Sequence, residues 1–411
     1  MTTGSRSAVH RLFVSRVISL TGGAAAFVAL NFTIYERTHH STAWLAAALL
    51  VTFGVEGMVA PFAGALGDRF DRRMVMILSD LAGAGVFLAM ALVHSPGLLL
   101  VLAFLSAVAE SPFISASAAA IPNFVSDDDL AWANGMVGVG RNTGIVLGPL
   151  VGGVLVATIG AGTVFAINAV SFAVSAAFVA SVRRPFSGRR DQEGEYRGLR
   201  AGFRYVWGDR VLRLLTAAWL VWIFGLGMTM VADLPLVNHF DAGSKGYGVM
   251  IAFWGGGSIV GSLLARRLRG HTEPPALVAG LGLVALTAVA VGLSPWFWLV
   301  LVAVLAMGLA DGVSVVANQG IMQRRTPDAV RSRVSGAMEA CIHSGLALSY
   351  LLGGSAVRLF GWRAVYVVGG VAALIGAAVC TGLIRSGAPA VIQEEGLPAG
   401  PFDDASELLI P

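Results

Sequence analysis

Chemistry needs polar side chains, and this chain places very few of them away from its charged loops. Glu110, Arg141, Asp311, Glu339 and His343 each interrupt an otherwise apolar run. A charge at the centre of a bilayer costs about 2.5–3.5 kcal/mol even on insertion scales, so such residues are functional candidates by default. Their spacing adds to this. Ser106, Glu110 and Ser117 share one helical face, Asp311, Ser314 and Asn318 a second, and Asn134 and Arg141 a third; Ser335, Glu339 and His343 recur every fourth residue. The chemistry such carboxyls suit is proton binding and release, because removal from water stabilises the neutral acid. An arginine nearby opposes that, which sets Arg141 in competition with a proton or a ligand for Glu110. A permanently ionised Glu110–Arg141 strut is the other use of the same pair. Glu339 with His343 is a second relay candidate. Glu56 shares a stripe with Ala60, Ala63 and Gly67 and reads as packed between helices.

Other chemistries find no footing. Cys341 and Cys380 lie inside apolar runs and suit small packing positions; no disulfide framework or metal spacing follows. The stretch 138–144, "GVGRNTG", lacks the spacing and the preceding strand of a dinucleotide loop. No nucleophile–base constellation is visible. We therefore expect no enzyme, no cofactor and no metal.

The elements that must hold these residues are membrane helices. The chain is 56% hydrophobic and 13% charged, with a mean hydropathy of +0.76; an ordinary globular domain carries about 25% charged residues. Roughly twelve apolar runs are long enough to span hydrocarbon as a helix: 14–35, 43–66, 74–93, 97–121, 132–159, 162–182, 211–236, 246–265, 275–294, 296–322, 334–357 and 363–384. Arg6, Arg11 and Arg16 precede the first run as in a signal peptide, but that run is longer than an h-region and has an internal counterpart. At a rise of about 1.5 Å per residue, Glu110 and Asp311 lie about 18 Å into spans 4 and 10, and Arg141 about 15 Å into span 5.

Lys245 is the lone lysine among 28 basic residues. The arginines gather in alternate loops, at 6–16, 69–73, 183–213, 266–269, 324–333 and 385. Positive charge stays on the cytoplasmic side, so both termini are expected there, in a multi-pass protein of a cell inner or plasma membrane. The +4 net charge is then topology rather than a nucleic-acid footprint. The arginine-rich composition suggests a high-GC bacterium.

The polar stretch 183–210 divides the chain in two. Its second part sets Leu199, Phe203, Val206 and Trp207 opposite Arg197, Arg200 and Arg204, as in a helix lying on a membrane surface. The flanking parts repeat each other: at one offset Gly135 meets Gly336, Gly144 meets Gly345, Gly152 and Gly153 meet Gly353 and Gly354, and Glu110 meets Asp311. The expected organisation is 1–182, a six-helix bundle; 183–210, a linker with an amphipathic helix; 211–385, a second six-helix bundle; and 386–411, an acidic tail.

A family resemblance now appears. "GALGDRFDRR" (64–73), with Gly64, Leu66, Asp68, Arg69, Arg72 and Arg73, resembles the loop 2–3 motif of the major facilitator superfamily; its second copy, "GSLLARRLRG", has Ala265 in place of the Asp. "GIVLGPLVGG" (144–153), with Gly144, Gly148, Pro149, Gly152 and Gly153, is similar to the span 5 motif of drug/proton antiporters. "FAINAVSFAVSAAF" and "AGFRYVWGDRVLRLL" look like the macrolide and siderophore exporter subgroup. The resemblance implies an all-α membrane protein: twelve transmembrane helices in two pseudo-symmetric six-helix bundles, working as a monomer in the lipid bilayer by alternating access. It implies proton-coupled export of a small amphipathic molecule such as a drug or siderophore, with an uptake symporter or a lipid flippase as alternatives. Gly64, Gly67, Asp68, Arg69, Arg72 and Arg73 would then latch the halves together, and the span 5 glycines with Pro149 would form a close-packing face and a bend. A substrate held between the halves would meet candidates Phe27, Asn31, Asn134, Trp222, Phe224, Met228, Trp254, Met307 and Asn318, with Glu110 and Asp311 facing each other across it.

Overall fold

A bilayer offers no hydrogen-bond partner, so each segment must bond its own backbone. The described residues obey this: their regular structure is helical, with no strand. The computed structural model describes residues 3–54, 59, 70–120, 124, 130–182, 186, 199–326 and 328–385. In order, the helices are α1 (Thr3–Arg37), α2 (Thr42–Leu49, continued by a π-helical turn Leu50–Gly54), α3 (Arg72–Leu92), α4 (Pro96–Ala120), α5 (Leu130–Ile159), α6 (Ala161–Ser181), α7 (Leu199–Gly208), α8 (Arg210–His239), α9 (Gly243–Ala265), α10 (Glu273–Leu293), α11 (Phe297–Arg325) and α12 (Asp328–Arg385). Among the described residues, 9 helices are long and apolar enough to cross a membrane. Two shorter apolar helices, Thr42–Gly54 and Val146–Ile159, belong to spans 2 and 5. The last helix contains two spans, because Gly361 (φ 78, ψ 163) breaks α12 into arms 328–360 and 362–385.

Local signals fix the ends. Asp71 accepts from Met74 N at 3.1 Å to start α3, and Asp209 accepts from Val211 N and Leu212 N at 2.8 and 2.9 Å to start α8, the usual work of an N-cap acid. Gly160 (φ 80) turns α5 into α6 as Gly361 turns one arm of α12 into the other. These two glycines stand at the same offset as Gly135 and Gly336, so the repeat in the sequence is a repeat in backbone geometry. His40 and Asp241, also at that offset, both have positive φ in the turns before α2 and α9.

The packing repeats as well. In the first bundle α1 packs on α5 and α6, and α3 on α6. In the second, α8 packs on both arms of α12: a Cβ on Gly225 would lie 2.8 Å from that of Ala372, and one on Gly227 2.9 Å from that of Ser349. Such glycines let backbones approach where apolar burial alone gives no drive. The bundles meet through α5 on α9 and α2 on α12. Ser244 Oγ donates to Gly153 O at 3.0 Å, and Thr42 Oγ1 donates to Gly354 O at 2.8 Å. Both contacts lie at the arginine-poor end. The outer face carries Leu78, Leu88, Leu286, Leu359 and Phe360 exposed, a surface suited to hydrocarbon. Helix α7 packs its Val206 face on α12 while Trp207 points outward.

Candidate functional site

The two bundles enclose a cavity of about 550 Å³. Its wall is mostly apolar, with Phe27, Phe53, Met250, Trp254 and Met307 contributing bulk. Three carboxyls reach it: Asp80 and Glu110 from the first bundle and Asp233 from the second. Arg16 also lines it, with its guanidinium 5.2 Å from the centre of the Phe113 ring. Glu110 stands on α4 with Ser106 and Ser111 beside it on the wall, and Pro112 follows within the same helix.

Asp80 is 1% exposed. Ser175 Oγ of α6 donates to its Oδ2 at 2.6 Å, and Ser175 Oγ lies 2.7 Å from Ser15 Oγ of α1. A hydrogen-bonded file therefore leads from the cavity carboxyl across α3, α6 and α1. On the opposite side Tyr366 Oη donates to Asp233 Oδ1 at 2.5 Å, and Tyr247 and Tyr350 join the same wall. Sequence reasoning did not single out Asp80 or place Asp233 at a site. The signal was there for Asp80, since it is a lone acid in an apolar run, the criterion that picked Glu110.

Other expected site residues stand elsewhere. Asp311 is 6% exposed and does not face Glu110 across the cavity. It sits where α11 presses on α9, with Ser258 Oγ at 3.5 Å. The reason is glycine packing: Gly308 and Gly312 of α11 abut Trp254 and Ser258 backbone, while Gly257 and Gly261 of α9 abut Leu305 and Leu309. That contact turns Asp311 into the helix pair and leaves Met307, a turn earlier, on the wall. Trp222 and Met228 are buried in the apolar core of the second bundle, Asn31 is buried and donates to Phe27 O at 2.9 Å, and Asn318 is buried in α11. None of these four lines the cavity, nor does Phe224, which is half-buried against the same apolar core.

Glu339 is 61% exposed, with an oxygen 3.8 Å from His343 Nδ1. His343 Nδ1 also lies 2.9 Å from Glu339 O. This pair is a helix-surface contact away from the cavity wall. The side chains of Asn134 and Arg141 lie outside the described residues, as do Gly64, Gly67, Asp68 and Arg69. Of that loop, Arg72 opens α3, and Arg73 donates to Ala180 O at the end of α6. In span 5, Cβ atoms on Gly144, Gly148 and Gly152 would run into Leu20, Ala24 and Ala25 of α1; Gly153 abuts Ser244 and Gly248 of α9, and Pro149 is on the wall. Cys341 and Cys380 are free thiols. At the arginine-rich end, Arg324 grips buried Glu273 through Nε and Nη2, the latter at 2.8 Å, and Arg325 Nε donates to Asp209 Oδ2 at 2.8 Å.

Comparison with known proteins follows the same lines. The chain is 25% identical over 428 residues to "Multidrug efflux pump Tap" of Mycobacterium tuberculosis (strain ATCC 25618 / H37Rv), covering 98% of each chain. It is 26% identical over 360 residues to "Enterobactin exporter EntS" of Escherichia coli O1:K1 / APEC, covering 84% of this chain and 85% of the exporter. Among solved structures, the nucleoside transporter NupG matches with a TM-score of 0.76 at 12% identity, over 92% of this chain and 99% of the other. An inward-facing bacterial homologue of the lysosomal transporter Spinster matches with a TM-score of 0.72 at 16% identity, over 94% and 98%. The Major Facilitator Superfamily profile matches residues 12–275 and 234–406. The duplicated bundles around a central cavity and the match over nearly the whole chain agree, and the chain belongs to the Major Facilitator Superfamily.

Proposed function

We propose that this transporter exports small amphipathic molecules, drug-like compounds or siderophores, by proton-coupled alternating access. The observation that carries the proposal is an apolar chamber between two duplicated bundles with carboxyls reaching it from both sides. Apolar bulk with a few convergent polar groups suits an amphipathic ligand. Glu110 and Asp80 are the proposed proton sites, because a carboxyl facing a weakly polar chamber gains or loses its proton as access changes. The two relatives, an efflux pump and a siderophore exporter by name, support outward transport. The chain is proposed to work as a monomer in an inner or plasma membrane with both termini cytoplasmic, an orientation that its arginine-rich loops support. The loop 64–73 is proposed to latch the halves in the opposite access state.

The test is ethidium accumulation in cells expressing wild type or Glu110→Gln. Wild type is expected to lower accumulation, a protonophore to abolish the difference, and Glu110→Gln to raise accumulation toward the empty-vector level. Indifference to the protonophore would remove proton coupling. Greater accumulation than the vector, reversed by a pH jump of opposite sign, would make the protein an uptake symporter.

A further inference from the structure

We propose that Asp233 and the tyrosines around it form a binding site for the positively charged head of an organic cation, at the blind end of the chamber. The inference rests on the chamber being where substrate binds, and deepens that reading by naming the substrate's charge.

Asp233 lies on α8 near its arginine-poor end, beside the contacts that close the two bundles there. Tyr247 of α9 and Tyr350 and Tyr366 of α12 share its wall, each nearly fully buried except toward the chamber. Tyr366 donates to the carboxylate. Tyr350 Oη donates instead to Met230 Sδ at 3.3 Å, which leaves its ring as the face it offers. Phe53, from the other bundle, sits 6.5 Å from the Tyr350 ring, centroid to centroid.

The second-bundle wall of the chamber holds no Lys, Arg or His among the described residues. The described wall's cation, Arg16, is on the first bundle with Asp80 and Glu110. Asp233 thus has a hydroxyl partner but no countercharge on its own side. A carboxylate in an apolar wall is stabilised by an opposite charge, and aromatic faces attract a desolvated cation. A primary or quaternary ammonium, or a phosphonium, supplies both. An anion at this wall would meet Asp233 with no basic side chain beside it, since Arg16 lines the chamber from the other bundle.

The body of the ligand also has a place. Tyr247, Met250, Ile251 and Trp254 line the chamber from one stripe of α9, running about 10 Å at the helical rise. Trp254 Nε1, at the far end, is buried with no hydrogen-bond partner among the described residues. The geometry fits a cationic head at Asp233 and an apolar body along α9 that carries an acceptor near Trp254.

Purified protein in detergent would be titrated by equilibrium dialysis with radiolabelled tetraphenylphosphonium and with tetraphenylborate, two ions of one shape and opposite charge. Wild type is expected to bind the phosphonium at least about tenfold more tightly. Asp233→Asn, which keeps the acceptor for Tyr366, is expected to lose that preference; Tyr350→Leu is expected to weaken phosphonium binding several-fold, and Tyr350→Phe to leave it within about twofold. Equal binding of the two ions by wild type overturns the proposal, and this arm needs no variant to fold. So does a well-folded Asp233→Asn that retains wild-type phosphonium affinity. Proton-driven export of a neutral compound alongside such a failure would leave the transport reading standing and remove only the cation site.

Discussion

At the scale of single residues, two carboxyls that the sequence treats alike end differently. Glu110 and Asp311 are repeat partners at equal depth, yet one lines the chamber and the other is held between α9 and α11. Periodicity cannot decide this, because both carboxyls sit on a polar stripe, Ser106–Glu110–Ser117 in span 4 and Asp311–Ser314–Asn318 in span 10, and such a stripe can pack against a neighbouring helix as well as face a chamber. What decides is backbone contact through Gly308 and Gly312, visible only once the partner helix is known. Asp80 was legible by the rule applied to Glu110, and the serines that serve it were not, since Ser15 and Ser175 are distant in sequence. The Asp80–Ser175–Ser15 file gives Asp80 a specific expectation. Asp80→Asn keeps the shape and an acceptor for Ser175 but carries no proton. In proteoliposomes its uphill efflux driven by an imposed pH gradient is expected to fall about tenfold or more, while counterflow exchange, which moves no net proton, continues. Loss of both to the same degree would make Asp80 structural; loss of neither would place the proton on Glu110 alone.

At the scale of elements, the membrane helices were almost entirely legible, because hydrocarbon thickness sets a length that apolar runs must match. The turns were legible only in retrospect. Gly160 and Gly361 repeat each other's geometry, but a lone glycine in a chain with 52 of them announces nothing. The glycines of span 5 have a defined employment here: Gly144, Gly148 and Gly152, one turn apart, seat α5 on Leu20, Ala24 and Ala25 of α1. This is close packing between two helices of one bundle, with Gly153 reaching the other bundle. A Cβ on Gly152 would lie 2.6 Å from Ala25 Cα, a backbone atom that no rotamer change can move aside. Gly152→Val therefore forces α1 and α5 apart, and overpacking of this kind costs about 1–3 kcal/mol. Thermal unfolding in detergent is expected to show a lower midpoint for Gly152→Val than for Gly85→Val, where a Cβ meets nothing within 4 Å. Equal midpoints would mean that the span 5 glycines are there for bending and not for packing.

At the scale of the whole molecule, the two bundles are joined asymmetrically along the membrane normal. The described contacts between them, α5 on α9 and α2 on α12, hold the arginine-poor end closed, and the apolar core of the second bundle extends across that junction onto Val28, Tyr35, Leu45 and Leu49. The charged ties at the arginine-rich end that are described, Arg324–Glu273 and Arg325–Asp209, stay within the second bundle and its linker. The sequence showed the duplication but not which end it would close, since the same two halves serve both access states. The proposed alternating access requires the arginine-poor junction to part in every cycle, and this makes it testable by covalent closure. A Cβ on Gly354 would lie 3.2 Å from the Ala46 Cβ, close to the roughly 3.5–4.5 Å that a disulfide spans. With Cys341 and Cys380 replaced by alanine, Ala46→Cys/Gly354→Cys is expected to crosslink α2 to α12 under oxidation and stop efflux, with recovery on adding a thiol reductant. The substrate would still enter the chamber from the other end, so ligand binding by the oxidised protein is expected to persist while turnover is lost. Efflux at the reduced rate by fully crosslinked protein would show that this junction does not open, and that the substrate leaves by some path other than between the bundles.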